Sequence, residues 1–204
     1  RIVKADNTKK YAISNIDFKK FKFVNDNFGY DKGDQILQEF AKIINKNDFG
    51  IVACCRNFSD NFILLQEYES RERIELYLNK LSEVFIGKVK KMDSGIRLSL
   101  SIGVCAIENN YGDIMGPMDN SNIARRCAKE NNSAIHFFDD EMKQKLKLEF
   151  EITNSMEMAL AHNEFKVYYQ PKVNIADGSI AGAEALVRWV KPDKTIMAPD
   201  SFIP

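Results

Sequence analysis

The sequence predicts a mixed α and β domain, of the α+β or α/β class, followed by the first strands of a second domain. Helix-spaced and strand-like apolar patterns alternate along residues 11–138. Two apolar runs on either side of a polar turn in residues 51–66 predict a β-hairpin. The chain has 204 residues, of which 45% are hydrophobic, so it can bury a core of ordinary size.

The first predicted elements are a strand and a helix. Residues 11–16 form an apolar run typical of a buried strand, and Asp17 follows at its carboxyl end. Residues 18–27 have helical spacing with one apolar stripe. The stripe comprises Phe18, Phe21 and Val24. Asp17 is therefore expected where the strand gives way to the helix.

A second aspartate lies in the hairpin that follows the next helix. Gly29 suits the end of the first helix and Asp31 the start of the second, which has helical spacing to about residue 47. The strands of the hairpin in residues 51–66 are expected to be buried on at least one face. The turn between them carries Asp60, so this carboxylate is expected at the hairpin tip.

Beyond the hairpin the pattern predicts a helix, a strand and a second helix. Ser70 suits the start of the first helix and Gly87 its end. Its buried face is expected to contain Ile74, Tyr77, Leu78, Leu81, Val84 and Phe85. Alternation in residues 96–107 is the clearest strand pattern in the chain. One face of that strand carries Ile96, Leu98, Leu100, Ile102 and Val104. Asp119 precedes a short helix that ends at residue 130.

The last elements indicate the end of one domain and the start of another. Residues 134–138 are expected to form an edge strand, and residues 139–162 a solvent-exposed connecting helix. Residues 165–173 and 180–190 predict two strands joined by a turn. Two strands alone do not bury a core, so this part is expected to be an incomplete domain.

Composition excludes several function classes. The formal net charge is zero, from 29 basic and 29 acidic residues, which gives no sign of a nucleic-acid or membrane-surface partner. Four cysteines without Cys-x-x-Cys spacing and two histidines cannot form a zinc site by spacing. Without a signal peptide or a membrane-spanning run, a cytoplasmic location is expected. The chain begins and ends abruptly, so we expect it to be a piece of a longer protein. A membrane anchor elsewhere in that longer protein is compatible with this expectation.

Asp17 and Asp60 are the candidate reaction centre. Neighbouring strands would bring both carboxylates to one edge of the sheet. Nucleotidyl-transfer enzymes use such carboxylate pairs to hold Mg²⁺ against a triphosphate, because hard cations prefer oxygen ligands. Aspartates at strand ends also serve simply as turn formers, so the pair alone does not decide between the two roles.

The residues around these aspartates resemble a known family. Residues 17–34 are similar to the opening signature of GGDEF domains, the diguanylate cyclase family. Residues 56–62 stand in the position of the signature loop, and residues 98–104 and Ala128-Lys129 match later segments. The resemblance covers nearly all of residues 1–139. It implies an α+β sandwich of the palm or nucleotidyl-cyclase type, with a central, mainly antiparallel sheet flanked by helices.

This resemblance also assigns roles to individual residues, with Mg²⁺ as cofactor and GTP as ligand. It implies metal binding by Asp17 and Asp60, guanine recognition by Asn25 and Asp34, and phosphate contacts by Lys22 and Lys129.

The signature loop departs from the family pattern. Gly-Gly-Asp/Glu-Glu-Phe is replaced by Phe58-Ser59-Asp60-Asn61-Phe62, so a bulky ring replaces a glycine and an amide replaces a glutamate. Ser133 stands where the family usually has a phosphate-binding arginine, and Lys19 replaces an aspartate. These changes predict a GGDEF domain without catalytic residues for turnover.

A second resemblance begins in the last strands. Residues 168–173, 182–189 and 199–204 are similar to the start of an EAL domain, the cyclic di-GMP phosphodiesterase family, which has a TIM-type barrel. The resemblance implies a metal ligand at Glu184, within the Glu184-Ala185-Leu186 motif, and substrate contacts by Gln170 and Arg188. The remaining ligands lie beyond this chain, so the chain itself is expected to be inert toward cyclic di-GMP.

The predicted organisation is a degenerate GGDEF domain in residues 1–139, a connecting helix in residues 140–162 and a truncated EAL start in residues 163–204. The implied function is binding of GTP and Mg²⁺ without catalysis, which regulates the chain's own EAL domain. One alternative is an active diguanylate cyclase, which needs two GTP-loaded copies in a homodimer. The other is a structural or dimerisation module that binds no nucleotide.

Overall fold

The computed structural model describes residues 9–46, 48–107 and 113–203. The chain divides into two compact units, residues 1–142 and residues 143–204. Among the described residues, no helix combines the length and apolar character that a membrane span requires.

The first unit contains one five-stranded sheet. Its strands are β1 (Tyr11–Lys19), β2 (Ile51–Phe58), β3 (Asn61–Glu67), β4 (Ser99–Ile107) and β5 (Ile135–Phe137). They lie in the order β2-β3-β1-β4-β5. β1 pairs antiparallel with β3 and β4, and β2 pairs antiparallel with β3. Only β5 pairs in parallel, with β4. This is the predicted mainly antiparallel central sheet, with β5 as an edge strand.

Helices cover both faces of that sheet. They are α1 (Phe21–Phe28), α2 (Tyr30–Ile44), α3 (Arg71–Met92) and α4 (Met115–Glu130). On one face, the ring centroid of Phe18 lies 5.0 Å from Phe40 in α2 and 4.9 Å from Phe85 in α3, at the centre of the main core. α4 packs on the other face, against β1 and β4. A Cβ atom added to Gly103 would lie 2.1 Å from the backbone nitrogen of Arg125, so glycine is required there.

The start of α1 differs from the sequence prediction. Phe18 belongs to β1 rather than to the helix, because the β1–β4 pairing continues through Phe18 and Lys19. Lys20, with a left-handed φ of 61°, separates strand from helix. Asp17 therefore lies within β1 and not after it. The predicted cap at Gly29 is confirmed, since its N–H donates to the Asn25 carbonyl at 3.0 Å.

Three helix boundaries also differ from the sequence prediction. Asp31 lies in the first turn of α2 and not at the cap, which is Gly29. α2 ends at Ile44, and residue 47 lies outside the described residues. Gly87 does not end α3, because Val89 continues its buried face and outweighs the modest helix cost of one glycine.

Of three further expectations for α3 and α4, one is confirmed and two are wrong. Ser70 caps α3 as predicted, with its hydroxyl accepting from the Arg73 N–H at 3.3 Å. Val84 is exposed rather than part of the core. α4 starts at Met115, earlier than the predicted start after Asp119, because Asp113 accepts the Met115 N–H at 2.9 Å.

The predicted hairpin is present as β2 and β3, joined through Ser59 and Asp60. The expected burial of both strands is correct only for β3. β2 is an edge strand, and most of its residues after Ile51 are exposed.

The second unit is small and mostly exposed. It contains most of α5 (Asp140–Ala161), the strands β6 (Phe165–Val173), β7 (Ile180–Val190) and β8 (Ile196–Met197), and a short 3₁₀ turn, Pro199–Ser201. The predicted ranges of β6 and β7 are confirmed. The apolar cluster of this unit is built around Ile152, Ala159, Trp189 and Phe202. The three strands form an open antiparallel sheet, consistent with the start of a larger barrel.

Candidate functional site

Asp17 is paired with two cations from α4. Along β1, Ile16 and Phe18 point into the main core, so Asp17 points to the opposite face, which α4 covers. One oxygen of Asp17, Oδ2, lies 3.0 Å from Nη1 of Arg125 and 3.2 Å from Nζ of Lys129. The side chains of Asp17 and Arg125 are each only 12% exposed. The Asp17 carboxylate is therefore largely removed from water and neutralised within the protein.

Arg125 is fixed from a second direction. Its Nε and Nη2 atoms donate to Oδ1 of Asn122 at 3.3 and 2.8 Å, one turn earlier in α4. Lys129 follows Arg125 by one turn, so both side chains lie on the same helix face and reach the same carboxylate.

A third cation lies in the same region. Nζ of Lys19 donates to the Ser133 carbonyl at 3.0 Å and to Oδ1 of Asn132 at 3.3 Å. Burial lowers the pKa of Lys19, and the charge of Lys129 lowers it further. Two cations therefore contact the Asp17 carboxylate, and a third, Lys19, lies close enough to Lys129 for their charges to interact.

The hairpin tip is joined to β1 by Asn61. Its Nδ2 donates to Oδ1 of Asn15 at 2.7 Å and to the Ile16 carbonyl at 3.1 Å. Asn61 is 1% exposed, and its own Oδ1 accepts from Nδ2 of Asn57 at 3.3 Å. The residue that replaces the family's glutamate is thus an internal, hydrogen-bonded part of the sheet.

Asn25 and Asp34, the predicted guanine-binding residues, are brought together by the α1–α2 connection. A Cβ atom added to Gly33 would lie 2.0 Å from Oδ1 of Asn25, so the Asn25 amide lies over the residue before Asp34. Asp34 also lines a cavity of about 400 Å³ between α2 and β2, together with Gln38, Arg56 and Phe62. This volume is within the range of small-molecule sites.

Phe58, which replaces a signature glycine, does not line that cavity. Its ring is 62% exposed, and it borders a separate cavity of about 90 Å³ with Asn57 and Met118. Lys22 is an exposed residue of α1 with no ion pair to any described residue. The structure therefore gathers Asp17 with Lys129 and Asn25 with Asp34, but it does not tie Lys22 to either pair.

The side chains do not fit a magnesium ion as they stand. Mg²⁺ needs octahedral oxygen ligands, yet Asp17 already accepts from Arg125 and Lys129. Within the part of the chain that the structure describes, no three His, Cys, Asp or Glu side chains are grouped to hold a metal. Asp60 lies in the turn between β2 and β3 and has no ion pair with a described residue, whereas Asp17 is ion-paired.

In the second unit, two of the predicted EAL residues face each other. Gln170 in β6 is the register partner of Glu184 in β7. Oε2 of Glu184 lies 3.3 Å from Nζ of Lys172, and both side chains are more than half exposed. Arg188 lies four residues further along β7, on the same face as Glu184, and donates from Nη1 to the Val187 carbonyl at 2.8 Å.

Comparison with known proteins assigns both units. The sequence profile described as "Diguanylate cyclase, GGDEF domain" matches residues 1–134. This chain belongs to the GGDEF family. The profile described as "EAL domain" matches residues 153–204, so the GGDEF domain is followed by the start of an EAL domain.

Curated relatives are much longer than this chain. The GGDEF-EAL chain is 27% identical over 197 residues to a Pseudomonas aeruginosa protein named bifunctional diguanylate cyclase/cyclic di-GMP phosphodiesterase MucR. It is 29% identical over 195 residues to the Bacillus subtilis signaling protein YkoW. The matches cover 96% and 92% of this chain but only 29% and 24% of those proteins. This chain thus spans about a quarter of its relatives' length.

Solved structures agree with the fold. The active GGEEF domain of a Vibrio cholerae diguanylate cyclase superposes with a TM-score of 0.59 at 23% identity, over 68% of this chain and 88% of that one. An EAL/GGDEF domain protein from M. capsulatus gives a TM-score of 0.56 at 21% identity, over 68% and 94%. At these identities the likeness establishes the fold alone, and it confirms the predicted α+β sandwich.

Arg125 is the site residue that sequence reasoning missed. It lies four residues after Ser121 and four before Lys129, so helical spacing alone puts it on the Lys129 face. That spacing was a usable signal for a pair of cations. Nothing local indicates that their shared partner is Asp17, which is more than a hundred residues earlier in the chain.

Proposed function

We propose that the GGDEF domain of this chain binds a guanine nucleotide without converting it to cyclic di-GMP, and that this binding regulates the EAL domain that follows. The observation that carries the proposal is the open cavity beside Asp34, which Phe58 leaves unfilled. The cavity lies next to Asp34, and the Asn25 amide lies over Gly33, the residue before Asp34.

The arrangement of polar groups supports recognition of a guanine base. An Asn amide and an Asp carboxylate offer the donors and acceptors that a guanine edge requires. Gly33 lets Asn25 lie against α2 beside Asp34, and the cavity at Asp34 is large enough for a base.

The hairpin tip argues against turnover. A glutamate in the signature loop would present a carboxylate to substrate, whereas Asn61 directs its amide inward to Asn15 and Ile16. Cyclisation also needs two nucleotide-loaded copies that face each other. The relative MucR is named for both cyclase and phosphodiesterase activities, so cyclisation by this domain is tested in the same experiment.

The experiment is calorimetric titration of the chain with GTP in buffer containing Mg²⁺, followed by chromatography of the same sample. Saturable binding with no cyclic di-GMP is expected. Asp34→Ala should weaken binding at least about tenfold, since it removes a hydrogen bond to the base. Asp31→Ala is the matched control, because Asp31 is an exposed carboxylate one turn earlier in α2.

Two results would contradict the proposal. Detection of cyclic di-GMP would identify an active cyclase, and no binding of any guanine nucleotide would leave a structural module. Regulation is tested separately in the longer parent protein, by measuring cyclic di-GMP hydrolysis with and without GTP. Equal rates would show that nucleotide binding is not coupled to the EAL domain.

A further inference from the structure

The end of β1 carries a net positive charge, whereas a metal-binding site carries a net negative charge. Asp17 contributes one negative charge, while Arg125, Lys129 and Lys19 contribute three positive charges within the same small region. Adding a divalent cation would place two more positive charges beside these three.

The position of Arg125 is also specific. Its guanidinium uses Nη1 for Asp17 and Nε and Nη2 for Asn122, and it is as buried as the carboxylate itself. Gly103 brings the α4 backbone against β4 at this residue, which holds the Arg125 side chain over the end of β1. A fixed, buried cation is therefore already in contact with the oxygen that a metal would need.

Two apparent losses in the sequence compensate each other in space. Ser133 lacks the arginine charge that the family resemblance implies, and Lys19 replaces an aspartate. In the structure, the Lys19 ammonium donates to the Ser133 carbonyl at 3.0 Å. A positive charge is thus present at residue 133 after all, although it comes from β1.

We infer that Arg125 takes the place of the divalent cation at Asp17, and that nucleotide phosphates are held by Lys19, Arg125 and Lys129 without Mg²⁺. The phosphate half of this inference rests on the proposed nucleotide binding. The metal half does not, because it concerns the Asp17–Arg125 pair alone. Asp17 is then a positioning residue for Arg125 and not a metal ligand.

The first test compares GTP titrations in EDTA and in excess Mg²⁺. Mg²⁺ is expected not to tighten binding by the wild-type chain. Lys19→Ala should weaken metal-free binding about tenfold or more, because a charge-assisted contact is lost. Tightening of wild-type binding by tenfold or more in Mg²⁺ would overturn the inference while leaving nucleotide binding intact.

Substitutions at the ion pair make the test sharper. Asp17→Asn leaves all three cations in place, so metal-free binding is expected to persist, whereas a Mg²⁺-dependent gain in affinity that is present in the wild type and lost in Asp17→Asn would identify a metal ligand. Arg125→Leu should weaken metal-free binding about tenfold and make binding depend on Mg²⁺, because Asp17 becomes available. Arg126→Leu, at an exposed arginine of the same helix, is the matched control.

Whether Asp17 binds a divalent cation can be measured without nucleotide. Mn²⁺ is titrated into the chain alone and followed by electron paramagnetic resonance. The wild-type chain is expected to show no stoichiometric Mn²⁺ site. A site that is present in the wild type and lost in Asp17→Asn would refute the inference, even if GTP itself did not bind. The comparison of Mn²⁺ binding between the wild type and Asp17→Asn does not need the Arg125→Leu variant. It therefore remains interpretable if Arg125→Leu fails to fold.

Discussion

Asn61→Ala is expected to destabilise the first unit by about 3 kcal/mol. The substitution removes two buried hydrogen bonds, each worth about 1 kcal/mol net, from Asn61 to Asn15 and to the Ile16 carbonyl. It also leaves Oδ1 of Asn15, a residue only 3% exposed, without this donor, which adds about 1 kcal/mol or more. Urea unfolding followed by far-UV circular dichroism measures the change.

The chain supplies two controls for this measurement. Asn57→Ala removes an exposed amide on the same hairpin and one long hydrogen bond of 3.3 Å, so it should cost less than about 1 kcal/mol. Trp189 is the only tryptophan and belongs to the second unit, which does not contain Asn61, so its fluorescence in the folded protein should not change. A loss below about 1 kcal/mol for Asn61→Ala would refute the role of Asn61 in holding the hairpin to β1.

Further expectations concern a glycine, a thiol pair and a helix cap. Gly33→Ala should displace Asn25 and weaken GTP binding with little change in the unfolding midpoint; unchanged affinity would contradict this. Burial, and then the neighbouring Cys55, raise the pKa of Cys54, so iodoacetamide should alkylate Cys55 first at pH 8–9. Because the pKa of Cys54 is raised in the folded protein, the thiol contributes stability at neutral pH, and this contribution is lost as the pH rises through that pKa. The same unfolding assay in alkaline buffer measures the loss. Ser70→Ala should cost about 1 kcal/mol; an unchanged denaturation midpoint would argue against the cap.

Local signals in the sequence predicted those features that local chemistry decides. Gly29 and Ser70 were identified as caps, and β6 and β7 were bounded correctly, because each depends on a few neighbouring residues. Gly87 was misread for the opposite reason. Its helix continues because Val89 is buried against the core, and distant strands determine that burial.

In the candidate site too, contacts between residues close in sequence were predictable and contacts between distant residues were not. Asn25 and Asp34 are close in sequence and are joined by two helices, so their proximity was predictable. The pairing of Asp17 with Arg125 joins the first strand to the last helix of the first unit, and no local pattern encodes it. The contact between Lys19 and the Ser133 carbonyl likewise joins β1 to a segment more than a hundred residues later, so no local pattern indicates it.

The edge strand β2 has a consequence for how the protein behaves in solution. An exposed edge offers unpaired backbone groups to strands of other molecules, which promotes aggregation. β2 carries irregularities in its register between Ile51 and Ala53 and between Arg56 and Phe58, and Arg56 adds an exposed charge. Bulges and charges of this kind twist an edge and keep other strands from docking. The domain can therefore display the apolar ring of Phe58 at its hairpin tip while this edge of its sheet resists docking by other strands.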